Sequence, residues 1–218
     1  MEVLSEKKDN LDTLDAYLSC YGFQLSPLPT KLNEGYCTET QKKIFAQDLK
    51  RYANVKKVME IGFNAGHSAE FFFEHCKEAE VLSFDLNLHA YTKFGVEFLQ
   101  KKYKNRFTFI EDDSKITIPR YIENNPNEKY DLIYVDGDHS FEGCLQDIIN
   151  CKRLATKNTV LWIDDYFKIN IQNVISLCVS LGFIEVIKIN SDVDDPCGRR
   201  SWVEARYLES FLDNSNFT

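Results

Sequence analysis

Short apolar runs alternate with amphipathic segments along the chain from residue 55 onwards. The runs have the length of buried strands and predict strands at 55–61, 80–85, 107–110, 130–136, 159–164, 183–189 and 202–207. Apolar residues at helical spacing predict helices at 66–75, 90–103, 114–124, 141–154 and 171–181. This alternation predicts an α/β domain with a seven-stranded, mostly parallel sheet. Because no helix separates the last two strands, we expect the last strand to be antiparallel.

Residues 1–54 precede this alternation and are predicted to form a helical N-terminal extension. One amphipathic helix is expected around residues 11–21, and a second from an N-cap at Thr38 to Tyr52. The stretch Leu25–Cys37 between them contains two prolines and has no clear period. We therefore divide the chain into an extension, 1–54, and a main domain, 55–218.

Acidic residues stand where the predicted strands end. Asp85, Asp136 and Asp164 end three strands, and Glu60 lies near the end of the first. The carboxyl ends of parallel strands meet at one edge of a sheet, and ligands of open α/β sheets bind outside that edge. The carboxylates are therefore expected to converge on a ligand site.

Composition narrows the class of protein. The chain has 218 residues, a net charge of −8 and scattered Lys and Arg, which argues against nucleic acid as its main partner. No apolar stretch predicts a membrane span or a signal peptide. Seven cysteines without a CxxC pair predict a reducing, cytoplasmic setting.

A loop with two glycines follows the first predicted strand. Gly62 and Gly66 let the backbone approach a ligand, and the following helix offers free N–H groups near Ser68. The loop lacks the G-x-G-x-x-G pattern, so a tight connection without a ligand is the alternative. Asp85 could accept both hydroxyls of a ribose. Ser114, after the third strand, could contact an adenine edge or simply cap a helix.

Five motifs occur in order: E-I-G-F-N-A-G-H-S, F-D-L-N, E-D-D-S, Y-V-D-G-D-H and W-I-D-D-Y. Together they resemble the class I S-adenosylmethionine-dependent methyltransferases. The resemblance is greatest to the metal-dependent O-methyltransferases of the catechol and antibiotic-sugar types, and it covers roughly Val55 to Tyr207. It implies a Rossmann-like fold with helices on both faces of the sheet, and an N-terminal extension that covers the active site.

The resemblance also implies which residues contact S-adenosylmethionine. Glu60 and the Gly62–Gly66 backbone would hold its methionine part, Asp85 its ribose, and Asp113 and Ser114 its adenine. Asn64, Ser68 and Asp136 complete the expected cofactor contacts. Relatives often have glycine where this chain has Asp112, so the adenine contacts are expected to differ in detail.

The second candidate site combines Asp136 with Asp164 and Asp165. Asp136 and Asp164 end strands that we place side by side, and three adjacent acids repel one another unless a cation neutralises them. Oxygen ligands suit Mg²⁺, Ca²⁺ or Mn²⁺, and we expect Mg²⁺. Helix capping and a solvated turn are the alternative. Catechol-type relatives carry Asn at the place of Asp165, so the chain looks closer to the sugar-modifying branch.

The expected reaction is proton removal from an acceptor hydroxyl, followed by in-line attack of its oxygen on the sulfonium methyl. His139 is the preferred base and Asp138 the alternative. Arg199 and Arg200 could grip a phosphate or carboxylate of the acceptor, or belong to a solvated hairpin tip.

The expected partner is a small hydroxylated acceptor, a sugar or sugar-bearing metabolite rather than a catechol. Nucleic acid and membranes are not expected as partners. The sequence is compatible with a homo-oligomer. Three alternatives remain: a metal-independent methyltransferase, a hydroxylase-like relative, and a cofactor-binding or assembly protein without catalysis.

Overall fold

The computed structural model describes residues 11–23, 37–52, 54–193 and 200–213. Most of the predicted linker Leu25–Cys37 lies outside these residues, and so does Arg199. Within the described ranges, no helix is long and apolar enough to cross a membrane. The six cysteines that the structure describes are free thiols.

A seven-stranded sheet forms the centre of the chain. Its strands are β1 Lys57–Ile61, β2 Glu80–Asp85, β3 Phe107–Glu111, β4 Leu132–Val135, β5 Val160–Ile163, β6 Ile184–Val193 and β7 Arg200–Tyr207. They lie in the order β3-β2-β1-β4-β5-β7-β6. Strands β1 to β5 pair in parallel, and β7 is antiparallel to both of its neighbours. This confirms the predicted Rossmann-like sheet.

Eight α-helices surround the sheet in the described part of the chain. They are α1 Leu14–Cys20, α2 Glu39–Leu49, α3 His67–His75, α4 Thr92–Tyr103, α5 Ser114–Asn124, α6 Phe141–Cys151, α7 Ile169–Ser180 and α8 Glu209–Leu212. Thr38 is the N-cap of α2, as predicted, because its hydroxyl accepts a hydrogen bond from the Gln41 N–H at 3.1 Å. The last of them, α8, was not predicted, since four residues are too few to show a helical period.

The sheet buries both of its faces, which explains why β4 and β5 are apolar at every position. On β4, Tyr134 points into one apolar core, while Ile133 and Val135 point into the other. Helices therefore cover both faces. Trp162 belongs to the core, as predicted, and is fully buried.

The N-terminal helices pack on the first of these cores. The Phe45 ring of α2 lies 4.6 Å from the Trp162 ring and 4.7 Å from the Trp202 ring, measured between centroids. From α1, Asp15 Oδ1 contacts His67 Nε2 at 2.8 Å, at the start of α3. These contacts connect the extension to the glycine loop, whereas its role as an active-site cover stays a prediction.

The strand order reverses beside β1, which lies between β2 and β4. At this switch point, the loops after the parallel strands diverge and leave a crevice at their carboxyl ends. Left-handed backbone conformations occur in these loops, at Gly62, Asn64, Gly66, Asp112 and Asp165. The carboxyl ends of the five parallel strands border one cavity.

Candidate active site

A cavity of about 550 Å³ lies at the carboxyl edge of the sheet. The residues at one end of it are Asn64, Ser68, Asp85, Asp113 and Ser114, and those at the other end are Asp136, Asp138, His139, Asp164, Asp165, Lys168 and Arg200. The two groups of predicted site residues therefore share one pocket. Its size lies within the range of small-molecule and cofactor sites.

Gly62 brings the glycine loop against the loop after β4. Its φ is +94°, and a Cβ built there would lie 2.0 Å from the carbonyl oxygen of Asp136. The Gly62 N–H also donates to the Phe84 carbonyl oxygen at 2.8 Å. Glycine is required here because a side chain would push apart two backbone segments that both border the cavity. Gly66, with φ of +97°, is the N-cap of α3.

Asp85 ends β2 and joins the glycine loop to the cavity. Its Oδ2 accepts the Asn64 N–H at 2.8 Å, and its Oδ1 accepts the Asn87 N–H at 2.7 Å. A carboxylate oxygen has room for more than one hydrogen bond, so both oxygens can still accept hydroxyl groups. The Asn64 Oδ1 atom is buried and has no hydrogen-bond partner among the described residues. This geometry suits a ligand with two adjacent hydroxyls.

Glu60 lies behind the cavity wall instead of lining it. Its side chain is fully buried, and its carboxylate accepts hydrogen bonds from the Ser68 and Ser83 hydroxyls. Burial raises the pKa of Glu60 to about 7, against the opposing effect of both hydroxyl bonds. Of these two predicted cofactor contacts, Ser68 therefore lines the cavity, and Glu60 holds the Ser68 hydroxyl from behind.

The residues that were predicted to contact adenine lie at the start of α5. Asp113 is the N-cap of this helix and accepts the Lys115 N–H at 2.9 Å. The Ser114 hydroxyl donates to Asp147 Oδ1 at 2.7 Å. Asp113, and not Ser114, is therefore the helix cap, so the alternative that Ser114 caps the helix is wrong, and Ser114 borders the cavity.

The acidic end contains a compact group of potential metal ligands. One ligand atom from each of Asp136, His139 and Asp165 lies within 4.8 Å of the other two. His139 Nε2 is 3.4 Å from Asp136 Oδ1 and 3.0 Å from Asp165 Oδ2. Burial raises the pKa of Asp136, and its hydrogen bond to His139 opposes the rise. The structure thus brings Asp136 and Asp165 together, as the sequence predicted, with His139 between them.

Asp164 has other partners. Its Oδ2 accepts the Gln41 amide at 3.1 Å and the Tyr134 hydroxyl, and its Oδ1 accepts the Asp165 N–H at 2.7 Å. Burial, followed by the charge of Asp136, raises the pKa of Asp164 to about 7. Asp164 lines the cavity but lies outside the three-residue group.

Lys168 completes the acidic end. Its Nζ lies 2.7 Å from His139 Nδ1 and also forms an ion pair with Asp165 Oδ2. An ammonium group can only donate, so Nδ1 is the acceptor and the proton of the neutral ring is on Nε2. The hydrogen bond to Asp136 raises the pKa of His139, and the charge of Lys168 lowers it. A cation of the chain itself thus neutralises part of the acidic cluster.

Asp138 points away from this cluster. Its Oδ1 accepts the Ser140 N–H at 2.9 Å, and its Oδ2 lies 3.2 Å from Lys115 Nζ. The hydrogen bond from the Ser140 backbone lowers the pKa of Asp138. A carboxylate with a lowered pKa is a weak proton acceptor, so the geometry favours His139 of the two predicted bases.

Similarity to a known protein family identifies the enzyme class. Residues 59–166 match a protein family described as "Methyltransferase domain". The chain is a class I methyltransferase. The matched segment runs from β1 to just past Asp164 and Asp165. It therefore includes the glycine loop, Asp85, Ser114 and the acidic cluster. The family and enzyme class that the five motifs predicted are confirmed.

Solved structures support the fold of this methyltransferase. An O-methyltransferase from Bacillus cereus, in complex with SAH (S-adenosylhomocysteine), gives a TM-score of 0.71 at 15% identity and covers 95% of this chain and 98% of its own. An SAH-bound methyltransferase from Podospora anserina gives 0.67 at 15% identity, covering 95% and 94%. TDP-rhamnose 3'-O-methyltransferase of calicheamicin biosynthesis gives 0.59 at 17% identity, covering 91% and 93%. No curated protein matches the sequence.

Four residues in or behind the candidate site were not predicted from the sequence: Gln41, Tyr134, Asp147 and Lys168. Gln41 and Tyr134 bind Asp164. Their positions gave no signal, because one lies in the extension and the other inside an apolar strand. Lys168 could have been found, since it follows the W-I-D-D-Y motif by only two residues. Asp147 is a fully buried acid on an amphipathic helix, which is an available but weak signal.

Arg200 is the one member of the predicted arginine pair that the structure describes. It lies at the start of β7 and lines the cavity beside the acidic cluster. Its Nε is buried and finds no hydrogen-bond partner in the described ranges. Arg200 is therefore part of the pocket wall, and its charge opposes the rise in the pKa of Asp136.

Proposed function

We propose that this methyltransferase transfers a methyl group from S-adenosylmethionine to a hydroxyl of a small molecule, with the help of a divalent cation. The single observation that carries the proposal is that one cavity joins two kinds of site. Asp85 and Ser114 offer acceptors suited to a nucleoside at one end. Asp136, His139 and Asp165 offer a base and negative charge at the other.

The nucleoside end fits S-adenosylmethionine in its polar groups. Asp85 keeps acceptor capacity on both oxygens for ribose hydroxyls, and Asn64 has a buried oxygen without a partner in the described part of the chain. Ser68 is held against the cavity by Glu60. When bound, the cofactor supplies an electrophilic sulfonium methyl. The residues of the chain bind and orient it, which is the larger part of the catalysis.

The acidic end fits a divalent cation in its charge and donor atoms. Asp136 and Asp165 would hold the ion, and Asp164 also lines the cavity, with its oxygens bonded to Gln41, Tyr134 and the Asp165 N–H. Carboxylate oxygens suit Mg²⁺ or Mn²⁺. When bound, such an ion lowers the pKa of a coordinated hydroxyl. Mg²⁺ remains our choice of metal.

His139 is the proposed base. In the structure its Nδ1 accepts from Lys168, while Nε2 faces the carboxylates of Asp136 and Asp165. To take the acceptor proton, the ring needs a free lone pair. We infer that Lys168 turns towards Asp165 alone, which leaves Nδ1 free, and that the two carboxylates then stabilise the imidazolium.

The proposed acceptor is a sugar or a sugar-bearing metabolite with an anionic group. Arg200 and Lys168 place two positive charges beside the catalytic end of the cavity. A guanidinium binds phosphate in a bidentate manner. The similar TDP-rhamnose 3'-O-methyltransferase acts on a nucleotide-linked sugar. Methyl transfer from labelled S-adenosylmethionine to TDP-sugars, free sugars and catechols tests this choice; transfer to catechols alone contradicts it.

Binding of SAH tests the cofactor site. Asp85→Asn should weaken SAH binding by about 10- to 100-fold, because hydrogen bonds to a charged group contribute about 1.5–3 kcal/mol. Glu80→Gln is the matched control, since Glu80 is exposed on the same strand. Calorimetry measures the affinities, and thermal stabilisation gives a second readout. Failure of SAH to bind the unmodified protein would contradict the proposal.

A metal-independent methyltransferase is the second candidate. Lys168 favours it, because its ammonium already neutralises Asp165 and contacts His139. EDTA separates the two: turnover that is lost with EDTA and restored by Mg²⁺ supports the metal, and turnover that EDTA leaves unchanged supports Lys168. Asp136→Asn should abolish metal stimulation in the first case. A cofactor-binding protein without catalysis would bind SAH and transfer no methyl group to any acceptor.

A further inference from the structure

A buried carboxylate lies behind the adenine end of the cavity. Asp147, on α6, is fully buried, and its Oδ1 accepts the Ser114 hydroxyl at 2.7 Å. Its Oδ2 is buried as well and lacks a hydrogen-bond partner among the residues that the structure describes. That oxygen lies 3.2 Å from the point where a Cβ on Gly137 would stand, so it sits directly under the cavity wall.

Stability alone does not explain an acid at this position. Burial raises the pKa of Asp147 to about 6, with the Ser114 hydrogen bond acting in the opposite direction. Burying a carboxylate with one hydrogen bond is unfavourable, and an apolar residue would suit the interior of the α5–α6 contact better. What Asp147 provides is a fixed direction for the Ser114 hydroxyl.

A serine hydroxyl has one proton and two lone pairs. At pH 8 Asp147 is ionised and can only accept, so the Ser114 proton points towards it and away from the cavity. Ser114 then presents only lone pairs to a ligand. Asp113, beside it, is a carboxylate and also an acceptor.

An acceptor-only wall distinguishes purines by the substituent at carbon 6. Adenine carries an amino group there, which donates hydrogen bonds, whereas hypoxanthine and guanine carry a carbonyl oxygen, which repels a second acceptor. We propose that Asp147 is a positioning residue that fixes Ser114 as a hydrogen-bond acceptor and thereby makes the cofactor site selective for 6-aminopurines. The inference rests on the proposed function, because that function places the purine of the cofactor at the Ser114 end of the cavity.

Calorimetry at pH 8 with two ligands tests the inference. SAH and S-inosylhomocysteine, which has hypoxanthine in place of adenine, are titrated into the full chain and three variants. The unmodified protein should bind SAH about tenfold more tightly or better, because S-inosylhomocysteine places a carbonyl oxygen against an acceptor and loses a hydrogen bond. In Asp147→Asn the amide can donate to Ser114, so the hydroxyl can turn to the ligand, and the preference should fall several-fold. Ser114→Ala should reduce it similarly.

Glu142→Gln is the matched control, because it removes a negative charge from an exposed position on the same helix. It should keep the preference of the unmodified protein. If Asp147→Asn fails to fold, Ser114→Ala still decides the question. An unchanged preference in either Asp147→Asn or Ser114→Ala overturns the inference and leaves the cofactor site standing. Absence of binding by either ligand to the unmodified protein overturns the proposed function as well.

Discussion

Substitution of Gly62 by Ala should damage both the fold and the cofactor site. The new Cβ would stand 2.0 Å from the Asp136 carbonyl oxygen and 2.6 Å from its carbon, where ordinary van der Waals contact needs 3.4–4 Å. Both atoms belong to the backbone, so no side-chain rotation relieves the overlap. Overpacking of this kind costs about 1–3 kcal/mol, and an L-residue in the left-handed region costs a further 1–2 kcal/mol or so.

The expected loss is therefore about 2–5 kcal/mol, which for a chain of this size lowers Tm by roughly 4–20 °C. Gly182→Ala is the matched control. Gly182 also has a positive φ, +69°, but its Cβ would meet nothing within 4 Å. The free energy of unfolding of this control should fall only by the cost of a left-handed backbone for an L-residue, about 1–2 kcal/mol. Differential scanning calorimetry measures both variants.

The same pair separates damage to the site from damage to the fold. A displaced Asp136 backbone should weaken SAH binding in Gly62→Ala, measured by calorimetry well below its Tm, and Gly182→Ala should bind SAH normally. Equal Tm values for the two variants would refute the argument that the close approach to Asp136, and not backbone conformation, requires the glycine.

Three further predictions concern protons and charge. The folded-state pKa of Glu60 is raised from 4.5 to about 7, so the stabilisation by its protonated form is complete below pH 4.5 and is lost as the pH rises through 7. Between these pH values, the free energy of unfolding of Glu60→Gln should increase by about 3 kcal/mol relative to that of the unmodified protein. Urea unfolding measures both free energies, and a difference that does not change with pH would contradict the prediction. Lys168→Met should bind Mn²⁺ about tenfold more tightly or better in EPR titrations, because an ammonium beside Asp165 is removed, while Lys168→Arg should not. His139→Ala should lower kcat by about 10²- to 10⁴-fold, and Asp138→Ala should change it only a few-fold; the reverse order in steady-state assays would make Asp138 the base.

The alternation of apolar runs and amphipathic segments determined the sheet and its helices. The reason is physical: strands β4 and β5 are buried on both faces, so each had to be apolar throughout. The N-cap at Thr38 and the tight turn at Gly62 could likewise be predicted from the sequence, since each feature requires particular residue types.

The five motifs predicted the enzyme class through their resemblance to a known family, and the acids at the strand ends predicted the edge of the sheet where the candidate site lies. Asp85, Asp136 and Asp164 follow parallel strands, and the carboxyl ends of such strands meet wherever the sheet is parallel. Strand ends are local features, so their convergence needs no knowledge of side-chain packing.

Only the tertiary structure decided which side chains share partners. Asp164 turns to Gln41 from the extension, 123 residues away in sequence, and Lys168 occupies the space between Asp165 and His139. Asp147 reaches Ser114 because helices α5 and α6 pack against each other. These contacts depend on side-chain direction and on packing between distant segments, which the periodicity of a sequence does not encode. The sequence determined where the chemistry is placed, and the packing determined which residues neutralise one another there.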